Sequence, residues 1–264
     1  MNIEIVGAGV VGQATGKGFA RLGHEVVFHD IDETRCQHLR EEGYRASALP
    51  NTNDADIVFF CVPEKVIEDV VVSWGAYFKL NTRDALFVIR STVPPGTTEE
   101  IAITSNRHIC FNPEFLREAV AEYEFLNPPG VILGECCEEH GDLLESLYKP
   151  LRVPIHRVDP TTAEFTKIVI NSYLACQISF WTQVKWIAEA KGVNSHEVGM
   201  LASFCDSRVS CYGARMHGQP YKHTKCLPKD LTQLINAAKV SNVDSTLLDA
   251  VRYIDDKADA EVLE

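Results

Sequence analysis

Positive charge is what this 264-residue chain is short of: 25 Lys and Arg stand against 37 Asp and Glu, a formal net charge of −12 at pH 7. A surface so biased repels polyanions, which excludes nucleic acid or an anionic membrane face as a general partner; an anionic ligand needs local positive groups. The start, MNIEIVGAGVVG, lacks a basic segment followed by a long apolar one, so no secretion signal is read and a cytoplasmic location is expected. No C-x-x-C occurs among the nine cysteines, and their number is odd. Reduced thiols, mostly acting as small buried apolar residues, are therefore expected in place of a disulfide framework. Internal repeats and low-complexity segments are also missing, and 45% hydrophobic with 23% charged residues gives no sign of disorder. The length suffices for one large or two modest domains.

What is present begins with a short strand over Asn2 to Val6 that runs into Gly7-Ala8-Gly9-Val10-Val11-Gly12 and a helix to about Leu22. In a strand-turn-helix setting G-x-G-x-x-G has a physical meaning. The glycines permit a tight turn and close approach of a pyrophosphate, and the helix N-terminus holds its charge. A second strand, Glu25 to His29, ends at Asp30, eighteen residues after Gly12. A carboxylate there accepts both ribose hydroxyls and repels a 2′-phosphate, so NAD is expected over NADP. Arg35 is close enough to attract a phosphate, although it also reads as a solvated helix residue pairing with Asp32. Strands are expected further at Ile57 to Cys61, Leu86 to Arg90, His108 to Phe111, Val131 to Leu133 and Pro154 to Val158. Alternation with helices implies an α/β fold, a Rossmann-type doubly wound and mostly parallel sheet. Ligands then bind beyond the carboxyl ends of the strands.

After Val158 the pattern turns wholly helical, so a dinucleotide-binding domain is assigned to 1–158 and a helical central, dimerising domain to 159–264. Its first element is a long helix from Thr161 to Gly192, with Thr161 and Glu164 at capping-box spacing and glycine as the stop. From Ile168 to Val184 it carries no charge and is apolar on all sides, which predicts burial nearly all round, in a core or a dimer interface. Polar residues such as Asn171 and Gln177 interrupt it too often for a membrane span. Lys167 and Asn171 share one face, and a lysine in so dry a setting needs a partner or a task. Further helices are expected at Ser195 to Ser203, Lys229 to Lys239 and Ser245 to Asp259, with an irregular segment from Cys205 to Pro228. Cys205, Cys211, His217, His223 and Cys226 offer soft ligands in that segment, but their separations match no usual zinc pattern and no metal is expected.

Five motifs occur in one order along almost the whole chain: Gly7-Ala8-Gly9, Ser91-Thr92-Val93-Pro94-Pro95-Gly96-Thr97-Thr98, Asn112-Pro113-Glu114-Phe115-Leu116-Arg117-Glu118, Glu164-x-x-Lys167-x-x-x-Asn171 and Cys226-x-Pro228-Lys229-Asp230. Together they resemble the UDP-glucose/GDP-mannose dehydrogenase family. The resemblance implies NAD-dependent oxidation of a nucleotide sugar's primary alcohol, twice, to a uronic acid such as UDP-glucuronate, of use in polysaccharide biosynthesis. It implies that Cys226 captures the aldehyde as a thiohemiacetal and carries the thioester. Asp230 directs the hydrolytic water, Lys167 and Asn171 stabilise the oxyanion, and Glu114 with Thr92 handles proton and water. Gly7, Gly9, Val11, Gly12, Asp30, Arg35, Cys61, Val62, Pro63, Ser91 and Glu118 line the NAD site. Phe115, Leu116 and Arg208 touch the substrate, Arg208 often from a partner subunit, and a homodimer forms through the 161–191 helix. Elementary chemistry agrees, since two oxidations at one carbon need a covalent hold on the aldehyde, and a thiol beside lysines such as Lys225 and Lys229 is readily a thiolate.

Departures from the family pattern keep other readings open. The resemblance covers the cofactor and central domains and not the family's C-terminal nucleotide-binding domain. The glycine-rich sugar loop before the cysteine is replaced by Pro220-Tyr221-Lys222-His223-Thr224-Lys225, and Val62-Pro63-Glu64-Lys65 stands for the usual Val-Pro-Thr-Pro. The alternatives are a single-step NAD-dependent β-hydroxyacid-type dehydrogenase, whose pattern Lys167-x-x-x-Asn171 and Lys229-Asp230-Leu231 also resembles, and a catalytically silent NAD-binding homologue.

Overall fold

The computed structural model describes residues 1–48, 54–80, 85–210, 212–213 and 219–263. The chain divides into two units, Met1–Lys167 and Ile168–Glu264.

The first unit is built on eight strands: β1 (Asn2–Val6), β2 (Glu25–His29), β3 (Arg45–Ser47), β4 (Ile57–Phe60), β5 (Leu86–Ile89), β6 (Ile109–Phe111), β7 (Val131–Gly134) and β8 (Ile155–Val158). Their order in the sheet is β3-β2-β1-β4-β5-β6-β7-β8. All neighbours are parallel except β6 and β7, which run antiparallel with one registered pair, Phe111↔Gly134. The mostly parallel, doubly wound architecture expected from the alternation is thus present, and β3 is an addition to it. Its three residues, Arg-Ala-Ser, sit at the sheet edge with no apolar pattern to announce them.

Helices α1 (Val10–Arg21), α2 (Glu33–Glu41), α3 (Ile67–Leu80), α4 (Thr97–Ser105), α5 (Ala121–Leu126) and α6 (Glu138–Tyr148) connect the strands. Because side chains alternate along a strand, Ile57, Phe59, Leu86 and Val88 enter one core with Phe19 and Leu144, while Val58, Phe60, Phe87 and Ile89 enter the other with Val71 and Trp74. Central strands covered on both faces read as unbroken apolar runs, as Ile-Val-Phe-Phe and Leu-Phe-Val-Ile do here.

The same alternation sends Glu4 to the face of Val6, where it is 1% exposed and lies 3.7 Å from the equally buried His29 imidazole. Burial pushes its carboxyl up to about 7, opposed only in part by Arg45. The folded state therefore holds this proton more tightly than the unfolded chain. The stability it contributes is full below the ordinary value of 4.5 and is lost as pH rises through about 7. Glu4→Gln cannot ionise, so the fall in unfolding free energy between pH 5 and pH 8 is expected to shrink by about 2–3 kcal/mol in the variant, as measured by urea unfolding at both pH values.

Helix α7 (Pro160–Ala190) starts in the first unit and continues into the second, which also holds α8 (Ser195–Cys205), α9 (Leu227–Val240) and α10 (Thr246–Leu263). Its core gathers Ala175 and Ile178 of α7 with Tyr221, Leu227, Leu231, Ile235 and Val251. The expectation that α7 is buried nearly all round is corrected here: within this single chain it packs on one side only. Tyr173, Phe180 and Ile187, one heptad apart, remain 58%, 60% and 59% exposed. An apolar helix shows no difference in sequence between a face covered by its own chain and a face left open. Among the described residues no helix is long and apolar enough to cross a membrane.

Candidate functional site

The glycine turn lies between β1 and α1. Gly7 has φ +94°, and a Cβ on it would stand 2.6 Å from the Cys61 carbonyl oxygen; a Cβ on Gly12 would stand 1.8 Å from the Gly7 oxygen. Neither position has room for a side chain. Nothing lies within 4 Å of the corresponding point at Gly9, the N-cap of α1, which as a glycine has no side chain to offer the free N–H groups there. An open space before an uncapped helix N-terminus fits an anionic pyrophosphate. Around this turn the first unit brings together Cys61, Val62 and Ser91, whose hydroxyl donates to the carbonyls of Val62 at 2.6 Å and Phe60 at 3.2 Å. Burial pushes the Cys61 thiol up to about 12, so it stays neutral. Pro63 caps a short 3-10 turn, Val11 accepts the Thr15 hydroxyl, and Glu118 lines a groove with Val10 and Gln13 of α1.

Asp30, at the end of β2, is 8% exposed and already accepts hydrogen bonds from the Ala8 amide at 2.7 Å and the Asp32 amide at 2.9 Å. Arg35 reaches both Asp30 at 3.2 Å and Asp32 at 3.4 Å. A carboxylate has about four lone-pair sites, so Asp30 can bind a ribose hydroxyl while bracing the turn through Ala8. Arg35 is neutralised by two carboxylates, which removes the attraction for a 2′-phosphate. These residues fit a dinucleotide without that phosphate.

At the carboxyl end of β6 the segment from Asn112 to Glu118 is held by a buried network. Arg90 donates to the Asn112 side chain and, at 3.3 Å, to the Asn112 carbonyl; the Tyr148 hydroxyl also donates to the Asn112 side chain, whose amide in turn donates to Ile132. Asn112 fixes the loop that presents Glu114, a positioning part that no local signal in the sequence assigns. Glu114 accepts from the Leu116 amide at 2.8 Å and from Lys167 Nζ at 3.0 Å. With side-chain exposures of 8% for Lys167 and 12% for Glu114, this is a nearly dry ion pair. Phe115 lies beneath the ammonium at 5.3 Å. Thr92, half-buried, follows Ser91 at the end of β5.

Glu164 overturns its sequence reading. The cap of α7 is Asp159, which accepts the Thr162 amide at 2.8 Å and hydroxyl at 2.6 Å. Glu164 is fully buried and instead caps α4, accepting from the amides of Gly96 at 2.6 Å and Thr98 at 2.8 Å and from the Thr98 hydroxyl. It fastens the segment that follows β5, the Ser91 to Thr98 motif, to α7. Sequence spacing pointed to the local partner, and the true one is 66 residues away.

In the second unit Asn171 donates its amide to Asp230 at 2.6 Å, and Asp230 is 1% exposed. Cys226 is exposed and occupies the N-cap of α9, with Pro228 in the first turn, so its sulfur sits at the positive end of that helix. The segment before it is pinned rather than glycine-rich. Asp255 accepts the amides of Tyr221 at 2.6 Å and Lys222 at 3.0 Å, and Asp259 meets His223 at 2.6 Å and Lys222 at 2.8 Å. Arg208 is exposed and forks onto Asp206, two residues before it. Of the soft-ligand loop considered above, Cys211 and His217 lie outside the described residues.

Residues 46–152 match the NAD binding domain of the UDP-glucose/GDP-mannose dehydrogenase family and residues 161–257 its central domain; residues 2–83 also match NADP oxidoreductase, coenzyme F420-dependent. The chain is 29% identical to UDP-glucose 6-dehydrogenase YwqF of Bacillus subtilis, covering 100% of itself and 68% of that protein. It is 31% identical to GDP-mannose 6-dehydrogenase of Pseudomonas syringae pv. tomato, covering 95% of itself and 67% of the relative. A UDP-glucose dehydrogenase structure from Pyrobaculum islandicum superposes with a TM-score of 0.89 at 26% identity, over 97% of this chain and 68% of that one. The chain thus spans about two-thirds of the length of these relatives. With both domain models matched in order and the motifs seated as described, the chain belongs to the UDP-glucose/GDP-mannose dehydrogenase family.

Proposed function

We propose that this protein oxidises the primary alcohol of a nucleotide sugar to the uronic acid in two steps, holding the intermediate on Cys226. The observation that supports this reading best is the presence, in a family of NAD-dependent dehydrogenases, of a thiol at a helix N-terminus, four residues before a buried carboxylate that grips an asparagine amide. NAD, bound at the glycine turn, supplies the hydride acceptor for both oxidations.

The chain's own groups then have defined tasks. After the first oxidation the Cys226 sulfur adds to the aldehyde carbon, forming a C–S bond, and the carbonyl oxygen takes up a proton. Lys167 and the Asn171 amide donate to that oxygen while it is charged. Loss of a hydride from the carbon and a proton from the hydroxyl turns the thiohemiacetal into a thioester. Water, directed by Asp230, attacks the thioester and breaks the C–S bond, releasing the acid and the thiol. The Lys167–Glu114 pair holds the ammonium in place and gives the proton from the alcohol a carboxylate to pass to, with Thr92 beside that path. Phe115, Leu116 and Arg208 are assigned to substrate contact, Arg208 in trans. The exposed stripe of Tyr173, Phe180 and Ile187 supports a second copy packing on α7.

Two NADH per molecule of UDP-glucose or GDP-mannose consumed is the expected stoichiometry, read at 340 nm against the acid product. One NADH per substrate, with a β-hydroxyacid and not a nucleotide sugar, selects the single-step alternative.

A further inference from the structure

Away from the nucleotide turn, four side chains of the first unit with metal-binding chemistry converge: His108, Cys136, Cys137 and His140. Each offers one ligand atom, and these atoms all lie within 4.8 Å of one another. The fold brings them together from two places in the chain. His108 immediately precedes β6, and Cys136 and Cys137 follow β7 by one residue. Because β6 and β7 are antiparallel, the start of one and the end of the other share an edge of the sheet. Cys137 is the N-cap of α6, with no side-chain cap bond of its own, and His140 lies in that helix's first turn.

The distances are close to those a tetrahedral ion imposes. Zn–S of about 2.3 Å and Zn–N of about 2.0–2.1 Å give tetrahedral edges of about 3.3–3.8 Å. The Sγ atoms of Cys136 and Cys137 are each 3.2 Å from His140 Nδ1, and the two imidazole rings are 5.1 Å apart by their centroids. His108 is the exposed member and has the freedom to close the remaining gap. The buried Cys110 donates its S–H to Cys136 Sγ at 3.7 Å, an outer contact that orients a first-layer sulfur.

We propose that His108, Cys136, Cys137 and His140 form a structural zinc site, independent of the oxidation chemistry. Two thiolates and two imidazoles are a borderline-soft set suited to Zn²⁺, and four protein ligands leave no open position for a substrate. The site lies at the start of β6, whereas the nucleotide turn follows the carboxyl end of β1, so it takes no part in the reaction. Its task is mechanical. The lobe made by β7, β8 and α6 joins the rest of the sheet through a single registered pair, and the ion fastens the two sides of that seam. Both thiols give up their protons on binding, so affinity rises with pH.

Tag-free, reduced and chelator-treated full chain is titrated with Co²⁺ as the optical probe. One equivalent is expected to bring up thiolate-to-cobalt charge transfer together with the d–d bands of a tetrahedral ion, and Zn²⁺ should bleach both. At a free Zn²⁺ concentration of 100 Kd the melting temperature should rise by about 5–10 °C. His108→Ala removes an exposed side chain, leaves the core intact and should weaken Co²⁺ binding by roughly 10-fold or more. Cys137→Ser should lose about half of the charge-transfer intensity, one of the two thiolates that carry it. Cys205→Ser, elsewhere and exposed, should change nothing. The proposal is overturned by any of three results: no charge transfer in reduced protein, bands that persist unchanged in both His108→Ala and Cys137→Ser, or recovery of Cys110 and Cys136 as a disulfide from protein prepared with zinc present.

Discussion

Cys226→Ser is expected to abolish formation of the uronic acid, lowering its rate by at least about 10³-fold, while leaving a first oxidation that releases one NADH and the aldehyde. The argument rests on where the sulfur is. Cys226 is exposed at the N-cap of α9, and serine is nearly its size, so the exchange of sulfur for oxygen is a small steric change. Serine is among the favoured N-cap residues, and the variant should unfold at the same urea concentration as the parent or a higher one. What changes is chemical. A thiolate at a helix N-terminus is a competent nucleophile near neutral pH, whereas a serine hydroxyl without an adjacent base is not. Product analysis by chromatography together with NADH yield separates the two oxidations. Undiminished acid production by Cys226→Ser contradicts the assignment.

Lys167→Met carries the second large effect, and it acts on stability and on activity through different groups. The ammonium is the ionic partner of Glu114, and both side chains are nearly removed from water. Removing the cation leaves a carboxylate in a dry pocket, a change that typically costs about 3–5 kcal/mol. The double variant Lys167→Met/Glu114→Gln removes the orphaned charge, and the glutamine carbonyl oxygen can still accept from the Leu116 amide. Urea unfolding should therefore show most of the loss recovered in the double variant. Activity should not recover, because the donor to the oxyanion is gone in both. Equal destabilisation of single and double variants would mean that the pair contributes nothing as a pair.

Much of the first unit was legible in the sequence. The central strands β4 and β5 are unbroken apolar runs, and the glycine turn announces itself because two of its positions, Gly7 and Gly12, have no room for a side chain. β3 was not legible, since three residues at an edge need no apolar alternation. Nor was the reversal of β7, which is fixed by a single registered pair with β6. The site was legible in its residue types and much less so in its pairings. Lys167 needing a partner followed from a charge in an apolar helix; that the partner is Glu114, 53 residues earlier, follows only from the fold. Glu164 shows the limit most clearly: capping-box spacing is a local rule, and the residue serves a distant helix. The exposed stripe on α7 has the same origin, because periodicity reports that a face is apolar and is silent on what covers it. The cluster at His108 is hidden in the sequence for a related reason, its histidine lying 28 residues before the first of its cysteines, on another strand end.

The most direct test of the covalent route is the intact mass of the Asp230→Asn protein, quenched in acid during turnover with NAD and the nucleotide sugar. Asp230 is assigned to the hydrolytic water, so its replacement should slow release and let the acyl group accumulate. The expected result is a protein heavier by one acyl group, removable by hydroxylamine and mapped to the peptide containing Cys226. Acid appearing at the parental rate, with that peptide unmodified at every time point, would contradict the account.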